Sequence, residues 1–355
     1  MPRYFNLITL FLLCCTFTAC ESLYEVSIDN MVPGKFNFVA GMDSVAVVNN
    51  TIIDTTDSMQ EYPVTAKTWG QYEYMQGDPK VTTEAIAHAL ADQNFFKQVM
   101  ICDSALRMSD TIPYYIRNMR ELNHDEVLSL CSDLHSNVLI SLDNILIEIN
   151  RKASFKRDDN NMYWSGMAQA KVYPVIRIYT PKRSKRVAEF VLLDSIAWED
   201  DEEGLSLLKN SLPSNDTIKS IASDYAGYIC KNLIPNWTSE PRYFYANGMS
   251  STGQYIIYLI NNEKWDKVQK EWEDSYKGLH GKQKVEMAYN LALANEMNNN
   301  IKNAQEWVTT TISLASKKAK YKVLLEQAYI YSENLKRRAN DYIRLNMQMK
   351  AHGNN

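Results

Sequence analysis

Two periods of apolar and polar residues alternate along this chain. Ser44–Asn49 (SVAVVN) is a β-branched run of strand character. Polar residues fill 54–78 and predict a loop or an irregular hairpin. Pro79, with Thr82 and Thr83 as candidate N-caps and Ile86 and Leu90 four apart, opens a helix, and 99–102 follows as a short strand. Asn123 with Glu126 three residues on has the form of a capping box. Val127, Leu130, Cys131 and Leu134 then fall at i, i+3, i+4 and i+7, a single apolar helical stripe. Asn137 closes that helix, and 138–142 is a nearly continuous apolar strand of the kind covered on both faces. Strands over 168–179 and 187–195 flank a turn at 181–186. Asp216 caps a last helix with the stripe Ile218, Ile221, Ala222, Tyr225, Ile229 and Leu233, stopped by Pro235. That order places helices on a mixed sheet.

Proline ends at Pro241, and helical patterning takes over with a longer period. Asn262, Asn298 and Asn334 lie 36 residues apart, each where a helix-to-helix turn is expected. Six residues before them stand Ile256, Ala292 and Ala328; six after stand Val268, Ala304 and Asn340. The stretch 288–307 (AYNLALANEMNNNIKNAQEW) resembles a tetratricopeptide repeat, in which small residues at this spacing let paired helices press together. The third copy is degenerate, as terminal capping repeats are. The fold class expected is therefore α+β: an N-terminal mixed-sheet α/β sandwich over 41–236, then a C-terminal all-α, tetratricopeptide-like array of helical hairpins over 250–350.

The first residues carry a different message. Arg3 precedes an almost uncharged run that ends in Phe17-Thr18-Ala19-Cys20. The run has the length of a signal peptide and is too short to cross a hydrocarbon core of roughly 30 Å. The last four residues resemble the bacterial lipobox, in which the cysteine thiol carries diacylglycerol. Residues 1–19 are thus expected to be an export signal, Cys20 the lipidated first residue of the mature protein, and 20–40 a tether containing Pro33-Gly34. Together with Ser44–Asn49, the helix–strand unit at 128–143 and the repeat at 289–307, these residues make the chain resemble a lipoprotein family of unknown function from Bacteroidota. The resemblance implies a lipid-anchored envelope protein and carries no catalytic residues with it. By likeness to lipoprotein sorting, Glu21, where an Asp would retain the protein, points to the outer membrane.

Charge narrows the partners. The net charge of −4 conceals a basic tail, since from Asn262 to Asn355 sixteen Lys/Arg face eleven Asp/Glu. The acidic remainder and the mixed tail exclude nucleic acid as the expected partner. Of six cysteines, Cys14 and Cys15 belong to the signal, leaving Cys102, Cys131 and Cys230 beside the lipidated Cys20, an odd number without metal-like spacing. The five histidines (His88, His124, His135, His280 and His352) form no H-x-x-H or H-E-x-x-H pattern. His352 falls in a tail expected to fray. Gly248-Met249-Ser250-Ser251-Thr252-Gly253 is not a nucleophile elbow and reads as a linker into a helix. Glu199-Asp200-Asp201-Glu202-Glu203-Gly204 lacks the twelfth-position acid of an EF-hand, having Asn210 there, and reads as a solvated loop; 158–161 reads as a turn. No catalytic, cofactor or metal residues are singled out.

The function expected is a membrane-anchored scaffold whose helical repeats receive a protein partner, with Tyr255, Tyr258, Trp265, Trp272 and Trp307 as aromatic anchors. The alternative is an envelope enzyme, such as a glycan-acting hydrolase, with its site in the α/β region. Replacing Cys20 by alanine is expected to move the protein from the membrane to the soluble fraction of cells. Retention of that variant in membranes would refute the lipid anchor.

Overall fold

The structure is a computed structural model that describes residues 22–52, 58–65, 67–106, 121–158, 161–246 and 251–353. The expected export signal and Cys20 lie outside the described residues, as do residues 248–250 of the glycine-flanked serine run. The fold is α+β: a mixed-sheet region with helices, then a run of helices. The chain makes two compact units, one from 32–236 with 345–355, the other from 22–31 with 237–344.

The expected tether is the first correction, because Ser22–Val32 is strand β1. Tyr24, Val26 and Ile28 repeat every second residue, and the strand pairs with one more than two hundred residues away.

The sheet unit is built on β2 (Ser44–Asn49), β3 (Ser58–Thr65), β4 (Thr68–Gln76), helix α1 (Pro79–Ala91), β5 (Gln98–Cys102), α2 (His124–Asp133), β6 (Val138–Arg157), β7 (Met162–Tyr179), β8 (Ala188–Val191), β9 (Asp194–Glu202), α3 (Leu205–Ser211) and α4 (Asn215–Tyr228). β6 and β7 form one long antiparallel hairpin. Along the outer edge of β6, β2 pairs in parallel with its first residues and β4 antiparallel with its last. Along the outer edge of β7, β8 and β9 divide the strand in the same way. β5 extends the sheet beyond β2, and β3 extends it beyond β4.

Helices cover one half of this sheet on both faces. Val45, Val47, Ile140, Ile176 and Ile178 pack in one core with Ile86 and Leu90 of α1 and Ile218, Ala222 and Ala226 of α4. The alternate residues Ala46, Val48, Leu139 and Tyr179 meet Val127 and Cys131 of α2 on the other face. That is why β2 reads as an unbroken apolar run. In the other half, Ile147, Ile149, Ala168, Ala170 and Val172 continue the first core.

Local details differ from expectation for identifiable reasons. The α1 cap is Asp78, whose carboxylate accepts the N–H groups of Lys80 and Val81. Thr82 and Thr83 lie inside the helix, their hydroxyls donating to the carbonyls of Ser223 and Pro79. The Asn123–Glu126 capping box is present in full. Ser214, not Asp216, caps α4. Residues 199–202 are not a loop but the end of β9, whose alternate side chains Ile196 and Trp198 reach the core. His352 is buried, with its ring 4.1 Å from and stacked on Phe95, and Gln348 bonds Gly34 and Asn37. The C-terminal residues therefore belong to the sheet unit, and the expected break at 250 does not end it.

The helical unit holds β1, β10 (Asn236–Ala246), α5 (Ser251–Asn261), α6 (Trp265–Tyr276), α7 (Gly281–Met297), α8 (Ile301–Ala315) and the first part of α9 (Lys322–His352). Asn262 and Asn298 stand in helix-to-helix turns, and the pairs Ile256/Val268 and Ala292/Ala304 are buried. Asn334 does not mark a turn: α9 runs straight through it, with no Gly or Pro between 322 and 352, and Leu335 beside it is fully buried.

α7 is covered on every side from Val285 to Glu296, so its polar groups are answered internally. Asn290 works as a surrogate strand residue, its amide accepting from Tyr245 N–H and donating to Tyr245 C=O at 2.8 and 2.7 Å. Glu296 has no solvent-exposed side-chain surface and accepts from Nε and Nη2 of Arg242 at 3.0 and 3.1 Å, from the Tyr331 hydroxyl at 2.6 Å and from Arg338 at 3.0 Å. Burial alone would raise this carboxyl, but the guanidinium groups and the phenol outweigh it and hold it below the usual glutamate value. A buried carboxylate that leaves two cations unanswered when removed costs about 3–5 kcal/mol. Glu296→Gln should therefore lower the unfolding free energy of the helical unit, read by urea denaturation, by an amount in that range. Because the folded value is depressed, the difference between wild type and variant should be full above the ordinary value of 4.5 and shrink as pH falls below it. Denaturation followed by tryptophan fluorescence from pH 7 to pH 3 measures both.

Candidate functional site

Strict alternation along β6 and β7 decides where a site can lie. From Ile145 to Ala153 the odd-numbered side chains of β6 are buried, and the even-numbered ones are half-buried or exposed. In β7 the even-numbered residues from Gly166 to Pro174 are buried and the odd-numbered ones face out. Among the described residues no helix packs over this second face, so half of the sheet stays open.

The open face is laid out in cross-strand rows. One row carries Tyr74, Glu148, Lys171 and Ser195; the next carries Tyr72, Asn150, Gln169 and Ala197. Beyond them come Gly70, Lys152, Met167 and Glu199, then Thr68, Ser154, Ser165 and Asp201. Glu148 accepts from Lys171 Nζ at 3.1 Å and from the Tyr173 hydroxyl at 2.9 Å. Burial pulls the Glu148 carboxyl up, but Lys171 and the Tyr173 and Tyr72 hydroxyls hold it below the usual range. Burial and the neighbouring carboxylate push Tyr173 up to about 12. The Tyr72 and Tyr74 hydroxyls bond each other at 2.5 Å, and their rings meet edge to face.

The last two rows sink into a groove of about 880 Å³ across β4, β6, β7 and β9. Lys152 and Lys156 form one wall, Glu199 and Asp201 the other, with Ser165 and Met167 as floor. None of these four charges makes an ion pair with another described residue. The walls stand two strands apart, roughly 10 Å, so the groove presents both signs of charge on facing sides.

Where the covered half of the sheet meets the open half, β6 carries a bulge between Leu142 and Asn144. An extra residue there turns two successive side chains to one face. Asp143 is buried at that bulge and accepts from Arg177, Asn50 (3.0 Å) and Ser141. Burial raises the Asp143 carboxyl, against those three donors. Arg177 continues to Glu189 at 2.7 Å; burial would lower its guanidinium, and Glu189 and Asp143 together raise it.

The aromatic anchors named from sequence separate. Trp272 is buried, Trp265 and Trp307 are half-buried, and Tyr255 and Tyr258 are exposed at 45% and 55%. Cys102, Cys131 and Cys230 are free thiols, and burial raises the latter two. The sequence shows Glu199 and Asp201 as an acidic run but not their meeting with Lys152 and Lys156, because the groove residues come from four strands. The signal that could have found them was Ile145, Ile147 and Ile149: their period of two puts Glu148, Asn150 and Lys152 on the opposite face.

In comparisons with known proteins, residues 42–245 match the profile of a domain of unknown function, DUF8603, and residues 257–344 match that of another, DUF6340. The first match runs on into β10 and the second runs from within α5 to within α9; β1 and the C-terminal residues of the sheet unit lie outside both. No curated protein matches the chain.

Removing Asp143 strands the Arg177 guanidinium in a buried site. Asp143→Ala should destabilise the sheet unit by about 3 kcal/mol or more, read by chemical denaturation. A change below about 1 kcal/mol would mean that Glu189 alone satisfies Arg177.

Proposed function

We propose a non-catalytic binding role for this chain, which belongs to the DUF8603 family: a lipoprotein of the cell envelope, of the kind found in Bacteroidota, lipidated at Cys20, held at the outer membrane and presenting the open sheet face to a protein partner. The observation that carries the reading is the division of charge on that face. At its centre, Glu148 is answered by Lys171 and Tyr173, and a carboxylate held ionised in this way is a poor proton donor. At its edge, Lys152, Lys156, Glu199 and Asp201 are left for a ligand. The groove crosses four strands, roughly 14 Å, a width suited to an extended polypeptide segment bearing both signs of charge.

The helical unit adds a second contact through exposed Tyr255 and Tyr258 on α5. It does not offer the groove of an open repeat array. The strand β10 lies against α7, the helix that would line such a groove, through Asn290–Tyr245, Glu296–Arg242 and the ring contact of Tyr289 with Tyr245.

A photo-crosslinker placed at Met167 in intact envelopes should give one discrete protein adduct. The adduct should disappear when Lys152→Glu and Lys156→Glu are added. If no adduct forms, or if the charge reversals leave it unchanged, the open face is not the binding surface.

A further inference from the structure

The helical unit has one strongly basic end. The turn from α6 to α7 carries Lys277, His280, Lys282 and Lys284, and the turn from α8 to α9 carries Lys317, Lys318, Lys320 and Lys322. The two turns are neighbours: a Cβ on Gly281 would lie 3.8 Å from the Tyr321 hydroxyl, and Val285, Tyr321 and Leu324 share one cluster. Lys317, Lys318, Lys320 and Lys322 are all exposed, and of the four only Lys322 has an ion pair among the described residues, a loose one of 3.8 Å to Glu326. Lys284 lies over the Tyr276 ring and Lys320 over Tyr321. The opposite end carries Lys264, Lys302 and the run Lys336-Arg337-Arg338, but the three residues of that run are each paired with a carboxylate, Glu333, Glu240 and Glu296.

The strand pair fixes which end the N-terminus approaches. Arg242 of β10 bonds Glu296 of α7, and Tyr245 bonds Asn290. Three residues of strand and six of helix both measure roughly 9–10 Å, so β10 runs along α7 toward Gly281, the lysine end. Tyr24 stacks on Phe244 at 5.5 Å, and Glu25 accepts from Tyr243. β1 therefore runs opposite to β10, and its first residue, Ser22, lies beside Ala246 on the side of the lysines. Cys20 precedes Ser22 by two residues, at most roughly 7 Å of chain. The distance from Asn290 to Gly281 along α7 is roughly 14 Å, and Ala246 lies one strand residue, roughly 3 Å, along it from Tyr245.

We propose that the lysine end, formed by Lys282, Lys284, Lys317, Lys318, Lys320 and Lys322, docks on anionic phospholipid headgroups of the bilayer that holds the acyl chains of Cys20. The inference rests on the lipid-anchor reading, which puts the bilayer within a few residues of this surface. A basic surface beside an acyl anchor is a two-signal membrane attachment, in which hydrophobic insertion and headgroup attraction add. Each lysine near an anionic surface strengthens binding by roughly fivefold.

The test uses the chain from residue 20 with Cys20→Ala, so that no acyl chain contributes. Flotation should recover it with phosphatidylcholine vesicles containing phosphatidylglycerol and not with pure phosphatidylcholine, and binding should weaken as salt rises. Lys317, Lys318, Lys320 and Lys322 replaced together by Gln should weaken binding at least about tenfold. Lys264→Gln with Lys302→Gln, at the other end, should leave it unchanged. Equal recovery with neutral vesicles, or equal loss in both variants, would overturn the proposal. Binding of soluble polyphosphate as tight as that of the vesicles would assign the surface to a free polyanion instead and also overturn it. Cell fractionation of Cys20→Ala tests the anchor separately, so failure of the one is distinguishable from failure of the other.

Discussion

The pairing of β6 with β7 is the constraint on which the sheet unit depends. The two strands stay in register from Leu139–Tyr179 to Arg157–Met162, broken only at the Leu142/Asn144 bulge. Strands of this length are well beyond the usual 3–10 residues, and each serves two neighbours along its outer edge. β2 and β4 divide the edge of β6 at the bulge, and β8 and β9 divide that of β7 around Leu192. One hairpin thus carries two half-sheets. The first is closed on both faces by helices. The second is closed on one face only, and its free face is the candidate site. The buried Asp143–Arg177 pair lies at the seam, where the surroundings change from apolar to open.

A comparable constraint acts in the helical unit on a single helix. From Val285 to Glu296 α7 has no solvent face, so amphipathic patterning cannot describe that stretch, and its order comes from matched polar groups. Glu296 collects two guanidinium groups and a phenol, Asn290 completes the backbone of a strand, and Asn295 donates to the Leu291 carbonyl. Each of these would be costly if left unanswered in the interior. The helix is held in one register by chemistry that a purely apolar core would not impose.

How much of this was legible in the sequence follows from how local each signal was. The Asn123–Glu126 capping box, the 138–142 strand and the 158–161 turn were readable because all their determinants lie within a few residues. The helix-to-helix turns at Asn262 and Asn298 were readable for the same reason. Ser22–Val32 was mistaken for a tether because its partner, β10, comes after the whole sheet unit, although Tyr24, Val26 and Ile28 already alternated. Asn334 matched a period without any residue to break the helix, and continuity prevailed. His352 was assigned to a fraying tail because stacking on Phe95 is a contact that no spacing announces. The groove on the open sheet face was invisible for a related reason. Lys152 and Glu199 become neighbours only through the register of three strands, and register is a tertiary property.

The position of β1 has a consequence for how the molecule is made. It is the first described element to leave the ribosome, yet among the described residues its strand partner is β10, and most of the sheet unit, residues 32–236, is encoded between them. At synthesis rates of roughly 5–20 residues per second, β1 waits ten seconds or more with its backbone groups unpaired. An unpaired strand is a template for the wrong neighbour. Assembly of the paired strands then proceeds from the inside outward. The inserted sheet unit can close on local and hairpin contacts, which brings Val32 and Asn236 together and delivers the two ends of the ribbon to each other. Strand pairing in the helical unit therefore waits on the segment 32–236, although its first strand was the first to be synthesised, and the sheet unit is itself completed only when Gln348 and His352 reach Gly34 and Phe95.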